Sequence, residues 1–187
     1  VRMNGESRRI VFSGDVGRWD RPILRDPSTF EQADYVLVES TYGNRTHEAV
    51  DAVDDQLESV IKTAVERRGN IIVPSFAIER AQELLYHMNE LLRANRIPHI
   101  LVFLDSPMAI KVTEVFRNHP ELFDEEAKEI IAEHKSLFDF PSLMAVESSD
   151  HSKALNYLGG AGMIIAGSGM CTGGRIKHHL VNNISRS

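Results

Sequence analysis

The run Ile164-Ile165-Ala166-Gly167-Ser168-Gly169-Met170-Cys171-Thr172-Gly173-Gly174-Arg175-Ile176-Lys177-His178-His179-Leu180 reads as a buried strand, a glycine-rich loop and a helix start. That helix start carries Arg, Lys and paired His. Such a layout aims backbone N–H groups and cations at an anion, with imidazole beside it as proton donor or acceptor. The chemistry it suits is that of phosphate. It lacks Gly-Lys-Ser/Thr and its spacing is not Gly-x-Gly-x-x-Gly, so it is not a Walker or dinucleotide loop. In Phe12-Ser13-Gly14-Asp15, Asp15 follows an apolar strand, either as a hard oxygen ligand for divalent metal or as an ordinary Asp turn. Glu39, in Val38-Glu39-Ser40-Thr41-Tyr42-Gly43, is costly to bury without a positive or hydrogen-bonding partner. Paired with an imidazole, it would hold a proton there and make the His a general acid; alone, it serves equally as a cap or a surface salt bridge.

Pro74-Ser75-Phe76-Ala77 and Asp105-Ser106-Pro107-Met108-Ala109 each join a strand to a helix, so Ser75 and Ser106 are placed for helix capping or for phosphate contact. The other histidines, His47, His87, His99, His119, His134 and His151, are scattered, with surface or capping roles expected. They offer neither His-x-His nor His-x-x-x-His, so local motifs build no complete zinc site.

The elements that must position these groups alternate. Apolar runs at 9–13, 35–38, 71–73, 100–104, 143–146 and 163–166 read as short strands, the first two of them buried. Helical spacing runs over 48–68, stopped by Gly69, and over 77–94; further helices are expected at 121–134 and near 152–158. Ser106-Pro107 marks an N-cap followed by proline at the first helical position, and 135–142 reads as loop. The pattern predicts an α/β chain: a three-layer, mostly parallel doubly wound sheet whose functional side chains gather past the carboxyl ends of its strands.

The 187 residues carry a formal charge of −6, the wrong sign for holding nucleic acid by bulk electrostatics, so any RNA contact must be local. The single Cys excludes an internal disulfide and fits a reducing compartment, and the chain is read as cytoplasmic. No apolar run reaches membrane-span length, and no membrane partner is expected. Val1-Arg2-Met3-Asn4-Gly5 is not a signal peptide, and it does not read as a natural start.

Together these segments closely resemble the β-CASP branch of the metallo-β-lactamase superfamily, nucleases that process RNA. Phe12-Ser13-Gly14-Asp15 is similar to the motif whose Asp bridges two zinc ions, and Val38-Glu39-Ser40-Thr41-Tyr42-Gly43 to the acidic motif that opens the β-CASP insertion. Asp105-Ser106-Pro107-Met108-Ala109 and Pro74-Ser75-Phe76-Ala77 resemble segments within that insertion, and Gly173-Gly174-Arg175-Ile176-Lys177-His178-His179 resembles the histidine motif. The resemblance implies residues 1–45 as part of a metallo-β-lactamase domain and 46–187 as the β-CASP domain. It implies Asp15 as metal ligand, Glu39 orienting and charging the catalytic His179, and His178 as the second choice of imidazole. Phosphates of a single-stranded RNA would be held by Ser75, Ser106, Gly167, Ser168, Gly169, Gly173, Gly174, Arg175 and Lys177. Two zinc ions per full-length chain are implied, along with a homodimer. The family's His-x-His-x-Asp-His cluster is expected upstream of residue 1 and a last His motif beyond residue 187, so the fragment itself is expected to be inactive. Rival readings are an inactive scaffold subunit of an RNA-processing complex and a free-standing nucleotide-binding α/β module.

Overall fold

The computed structural model describes residues 2–3, 5–46 and 53–185. Short strands β1 (Arg2–Met3) and β2 (Glu6–Ser7) form an antiparallel hairpin. β3 (Ile10–Phe12) and β4 (Tyr35–Leu37) then pair in parallel, Ile10 opposite Tyr35 and Phe12 opposite Leu37. After α1 (Val53–Arg67) come β5 (Ile71–Pro74), α2 (Arg80–Arg93), β6 (Leu101–Asp105), α3 (Pro107–Asn118) and α4 (Glu125–His134). The chain continues through β7 (Leu143–Ala145), α5 (Ser149–Ala154), β8 (Gly162–Ala166) and α6 (Arg175–Asn183).

β5, β8, β6 and β7 lie side by side in that order as a four-stranded, all-parallel sheet. Alternation along its strands builds two apolar layers. Val102, Leu104, Met163 and Ile165 face a core shared with Ile61 of α1, Leu85 and Met88 of α2, Ala109 of α3 and Ala127 of α4. Phe103 and Ile164 face the other way, onto Val146, Leu155, Ile72 and Leu158. Helices cover both faces, which explains why β8 is buried at every position and reads as an unbroken apolar run.

Local signals set the helix bounds. Ser106 accepts the Ala109 amide with Pro107 behind it, Asp124 accepts that of Ala127, and Ser148 that of His151. Asp124 explains why α4 starts at Glu125; the preceding part of the expected helix is a 3-10 turn, Pro120–Leu122. Ser148 likewise starts α5 ahead of the expected 152–158 helix, whose later part is a 3-10 turn, Leu155–Tyr157. The Gly69 amide closes α1 on the Ala64 carbonyl at 2.9 Å. The start of the helix expected from residue 48, and His47, fall outside the described residues.

Three expectations are corrected. β3 and β4 form but are not buried: Phe12, Val36 and Val38 are 69%, 61% and 63% exposed. Among the described residues no layer covers either face of this pair, and two strands cannot bury themselves. His87, expected at the surface, is buried in α2 with its Nδ1 2.7 Å from Asp54 Oδ1. Ser75 caps no helix, because α2 begins only at Arg80 after Glu79 in a left-handed conformation.

Residues 21–25, read with the first unit, pack on the larger one. Ile23 is in its core, Leu24 bridges Phe123, and Arg25 donates to the carbonyls of Glu121 and Phe123. Arg21 pairs with Glu83 of α2. Among the described residues, no helix is long and apolar enough to cross a membrane.

Candidate functional site

The candidate residues fall into two places. The first is a cleft of about 660 Å³ at the carboxyl ends of β3 and β4, whose charged lining residues are Asp15, Glu39 and Glu79 with Arg18, Arg21 and Arg80. The parallel pairing brings the carboxylates together. Ser13 Oγ accepts the Glu39 amide at 3.1 Å, and Ser13 N donates to the Leu37 carbonyl at 2.9 Å, pinning one strand end to the other. Gly14, at φ +57°, makes the turn that sends Asp15 outward.

Glu39 braces the turn in return. Its carboxylate accepts from the Thr41 amide at 3.0 Å and the Val16 amide at 3.3 Å. The Thr41 side chain, then the Thr41 and Val16 amides, hold its carboxyl below the usual range, so it is an ionised acceptor near neutral pH. Asp15 is exposed and has no side-chain partner among the described residues. Its bare carboxylate suits a hard cation as one oxygen donor. Among the described residues, no three His, Cys, Asp or Glu groups stand close enough to hold a metal, so Asp15 would be one ligand of a larger set.

The second place is the carboxyl edge of the main sheet. There Asp105 ends an apolar strand and is fully buried. Its Oδ2 accepts from Ser152 Oγ at 2.5 Å and lies 2.6 Å from His179 Nε2; its Oδ1 accepts from Arg175 Nη1 at 2.6 Å. Burial pushes the Asp105 carboxyl up, but the donors from His179, Ser152 and Arg175 outweigh it and hold it below the ordinary range. A carboxylate only accepts, so Nε2 of His179 carries the hydrogen, while Nδ1 is buried without a partner.

This overturns the expected pairing of Glu39 with His179. His179 is 1% exposed and its partner is Asp105, so its ring ties α6 to β6. Helical geometry accounts for the reversal: with Ile176 buried, the residue three later faces the sheet while His178 is exposed. Arg175 is also committed, donating to the Val146 carbonyl at 2.8 Å and that of Glu147 at 2.6 Å.

The glycine loop is likewise internally bonded. Ser168 N donates to Gly173 O, Cys171 N to Ser168 O and Ile176 N to Gly167 O, at 3.1–3.2 Å, and Gly173 N reaches Ser168 Oγ at 3.4 Å. Gly174 is required there: its φ is +75°, and an added Cβ would lie 2.3 Å from the Gly167 carbonyl oxygen. The amides of Ser168, Cys171 and Gly173 and the Arg175 guanidinium are therefore bonded within the protein rather than turned to the expected phosphate. Lys177 is exposed on α6, Ser75 donates its hydroxyl to the Phe76 carbonyl, and Ser106 is occupied as the α3 cap. Gly167, Ser168, Gly169 and Gly174 line an apolar pocket together with Phe76 and Met108.

Ser152 is the site residue that the sequence reading missed, and Asp105 was noted at its strand end without its partners. A carboxylate ending the apolar run 101–104 must collect donors to be buried, which was a usable signal for Asp105. Nothing marks Ser152 locally, since it meets Asp105 across 47 residues.

Residues 81–187 match the Beta-Casp domain family. Over 185 residues the chain is 38% identical to Ribonuclease TTHA0252 of Thermus thermophilus, covering 99% of this chain and 42% of that protein. It is 29% identical over 175 residues to the transcription termination factor FttA of Methanosarcina mazei, covering 91% and 27%. With cleavage and polyadenylation specificity factor subunit 3 of Dictyostelium discoideum the identity is 27% over 164 residues, 85% and 21% of the two chains. The chain thus spans less than half the length of these relatives.

Proposed function

The chain belongs to the β-CASP family, and on that premise we propose that it is part of a zinc-dependent ribonuclease that hydrolyses phosphodiester bonds in single-stranded RNA. The observation that carries the proposal is the cleft lined by Asp15 and Glu39 together with Arg18, Arg21 and Arg80. Carboxylates and guanidiniums lining one cleft suit a metal ion and a phosphate bound side by side. The relatives named ribonuclease and cleavage factor support RNA as the substrate class.

In this reading Asp15 supplies an oxygen to the metal centre, and the remaining ligands come from other parts of a longer protein. Bound zinc would supply an activated water and neutralise charge on the scissile phosphate. Glu39, ionised and bonded to the Val16 and Thr41 amides, fixes the turn that aims Asp15. Arg80, half-exposed at the rim and 3.0 Å from Glu83, binds substrate phosphate.

The proposal keeps 1–45 as part of a metallo-β-lactamase domain and 46–187 as the β-CASP domain. The bare apolar faces of β3 and β4 support this, as a surface that further strands and helices would cover. A cytoplasmic setting and a homodimer belong to the same reading.

The test is cleavage of end-labelled single-stranded and double-stranded RNA by the longer protein that carries this chain, with zinc and after chelation. Cutting of single strands that chelation abolishes is the expected result. A zinc-loaded protein that cuts neither would overturn the proposal in favour of a scaffold.

A further inference from the structure

We infer that the pocket at the carboxyl edge of the main sheet receives a nucleobase, stacked on the ring of Phe76, rather than a phosphate. The inference rests on the RNA reading above and names the part of the strand that this pocket holds. The pocket measures about 380 Å³, within the roughly 300–1,000 Å³ of small-molecule sites. Its walls are mostly carbon, from Phe76, Ala77, Pro107, Met108 and the loop glycines.

Phe76 is 52% exposed and Met108 64%, although both line a concavity. One part of the Phe76 ring is backed by Gly169, where an added Cβ would fall 2.7 Å from Cδ2. The ring is thus held against Gly169 while about half of the residue stays open, as a stacking platform requires.

Charge decides against phosphate. Arg175 is the only cation among the described lining residues, and Asp105 with the carbonyls of Val146 and Glu147 already takes its donors. The amides of Ser168, Cys171 and Gly173 donate within the loop. With Arg175 and these amides committed and the lining mostly carbon, the pocket offers an anion little compensation for lost hydration, whereas a neutral flat heterocycle needs less. The Ser106 oxygen accepts from Ala109, which leaves its hydroxyl hydrogen for a base edge. One such contact orients a base but discriminates poorly among bases. The segment from Ser75 to Arg80 lines both this pocket and the Asp15 cleft, so a strand in the cleft can lay a base on Phe76.

The test follows backbone amide resonances of the isotope-labelled chain while adenosine, ribose phosphate or a short oligoadenylate is added. Adenosine and oligoadenylate should shift Phe76 and Gly169, and ribose phosphate should not. Phe76→Ala should weaken oligoadenylate binding by roughly 5- to 150-fold, the range of base–aromatic stacking, and Phe76→Tyr should preserve it. Gly169→Ala, which pushes the ring forward, should also weaken binding. Shifts from ribose phosphate alone, or wild-type binding by Phe76→Ala, would overturn the base pocket while leaving the RNA reading standing. If no oligonucleotide binds the wild-type chain anywhere, both readings fall.

Discussion

Replacing Asp105 by Asn keeps the side-chain volume and removes the charge on which three donors converge. Ser152 Oγ, His179 Nε2 and Arg175 Nη1 lie 2.5–2.6 Å from this buried carboxylate. An amide there loses charge-assisted bonds worth about 1.5–3 kcal/mol each and turns a donor toward donors. Arg175 loses its counter-charge as well, and breaking a buried pair in this way costs about 3–5 kcal/mol. That is a large share of the ~5–15 kcal/mol that holds a typical domain together. With a denaturant slope of about 2 kcal/mol per M, the urea midpoint should fall by about 1.5–2.5 M. Far-UV circular dichroism is the suitable probe, because the single Trp19 is 54% exposed and lies outside the main sheet. Asp150→Asn is the control: its pair with Lys153 is solvent-exposed, and such pairs contribute about 0–1 kcal/mol. A midpoint for Asp105→Asn within about 0.5 M of wild type would refute the claim that this network fastens α5 and α6 to the sheet.

The acid limb of stability should carry the same signature. The Asp105 carboxyl is held below its ordinary value of 3.8, so its contribution is full above that pH and is lost as pH falls through the lower folded value; Asp105→Asn should flatten this limb in acid titrations of the urea midpoint. Lys135, the C-cap of α4 at φ 70°, should become more favourable as glycine, and Lys135→Gly should raise stability by about 0.5–1 kcal/mol in urea unfolding. Gly174→Ala should cost about 2 kcal/mol or more, since its Cβ would meet backbone that cannot swing aside, and amide NMR should show the 167–176 loop displaced.

The α/β alternation was legible because the strands are short β-branched runs and the helices carry their apolar residues at helical spacing. α2 is the clearest case, with Leu85, Met88, Leu91 and Leu92 all buried. Caps were legible where one side chain does the work, as at Ser106. Burial of β3 and β4 was not, because apolar content alone does not say whether a covering layer is present. Asp15 and Glu39 stood out from their places at strand ends, and both line one cleft in the structure. The partner of His179 escaped because adjacent histidines look equivalent along the chain while the helix turns only one of them inward. Arg175 was misread for a related reason: a cation beside a glycine loop suggests an anion from outside, and the anion here is Asp105, 70 residues earlier.

The most direct test of the central claim is zinc content and single-stranded RNA cleavage, measured together on the protein that carries this chain, wild type against Asp15→Asn. The substitution keeps the side chain's size and weakens one oxygen donor in an exposed turn, so the fold is left intact. The account predicts reduced zinc content and cleavage slowed by more than about 100-fold. Full zinc occupancy with wild-type cleavage in Asp15→Asn would contradict it.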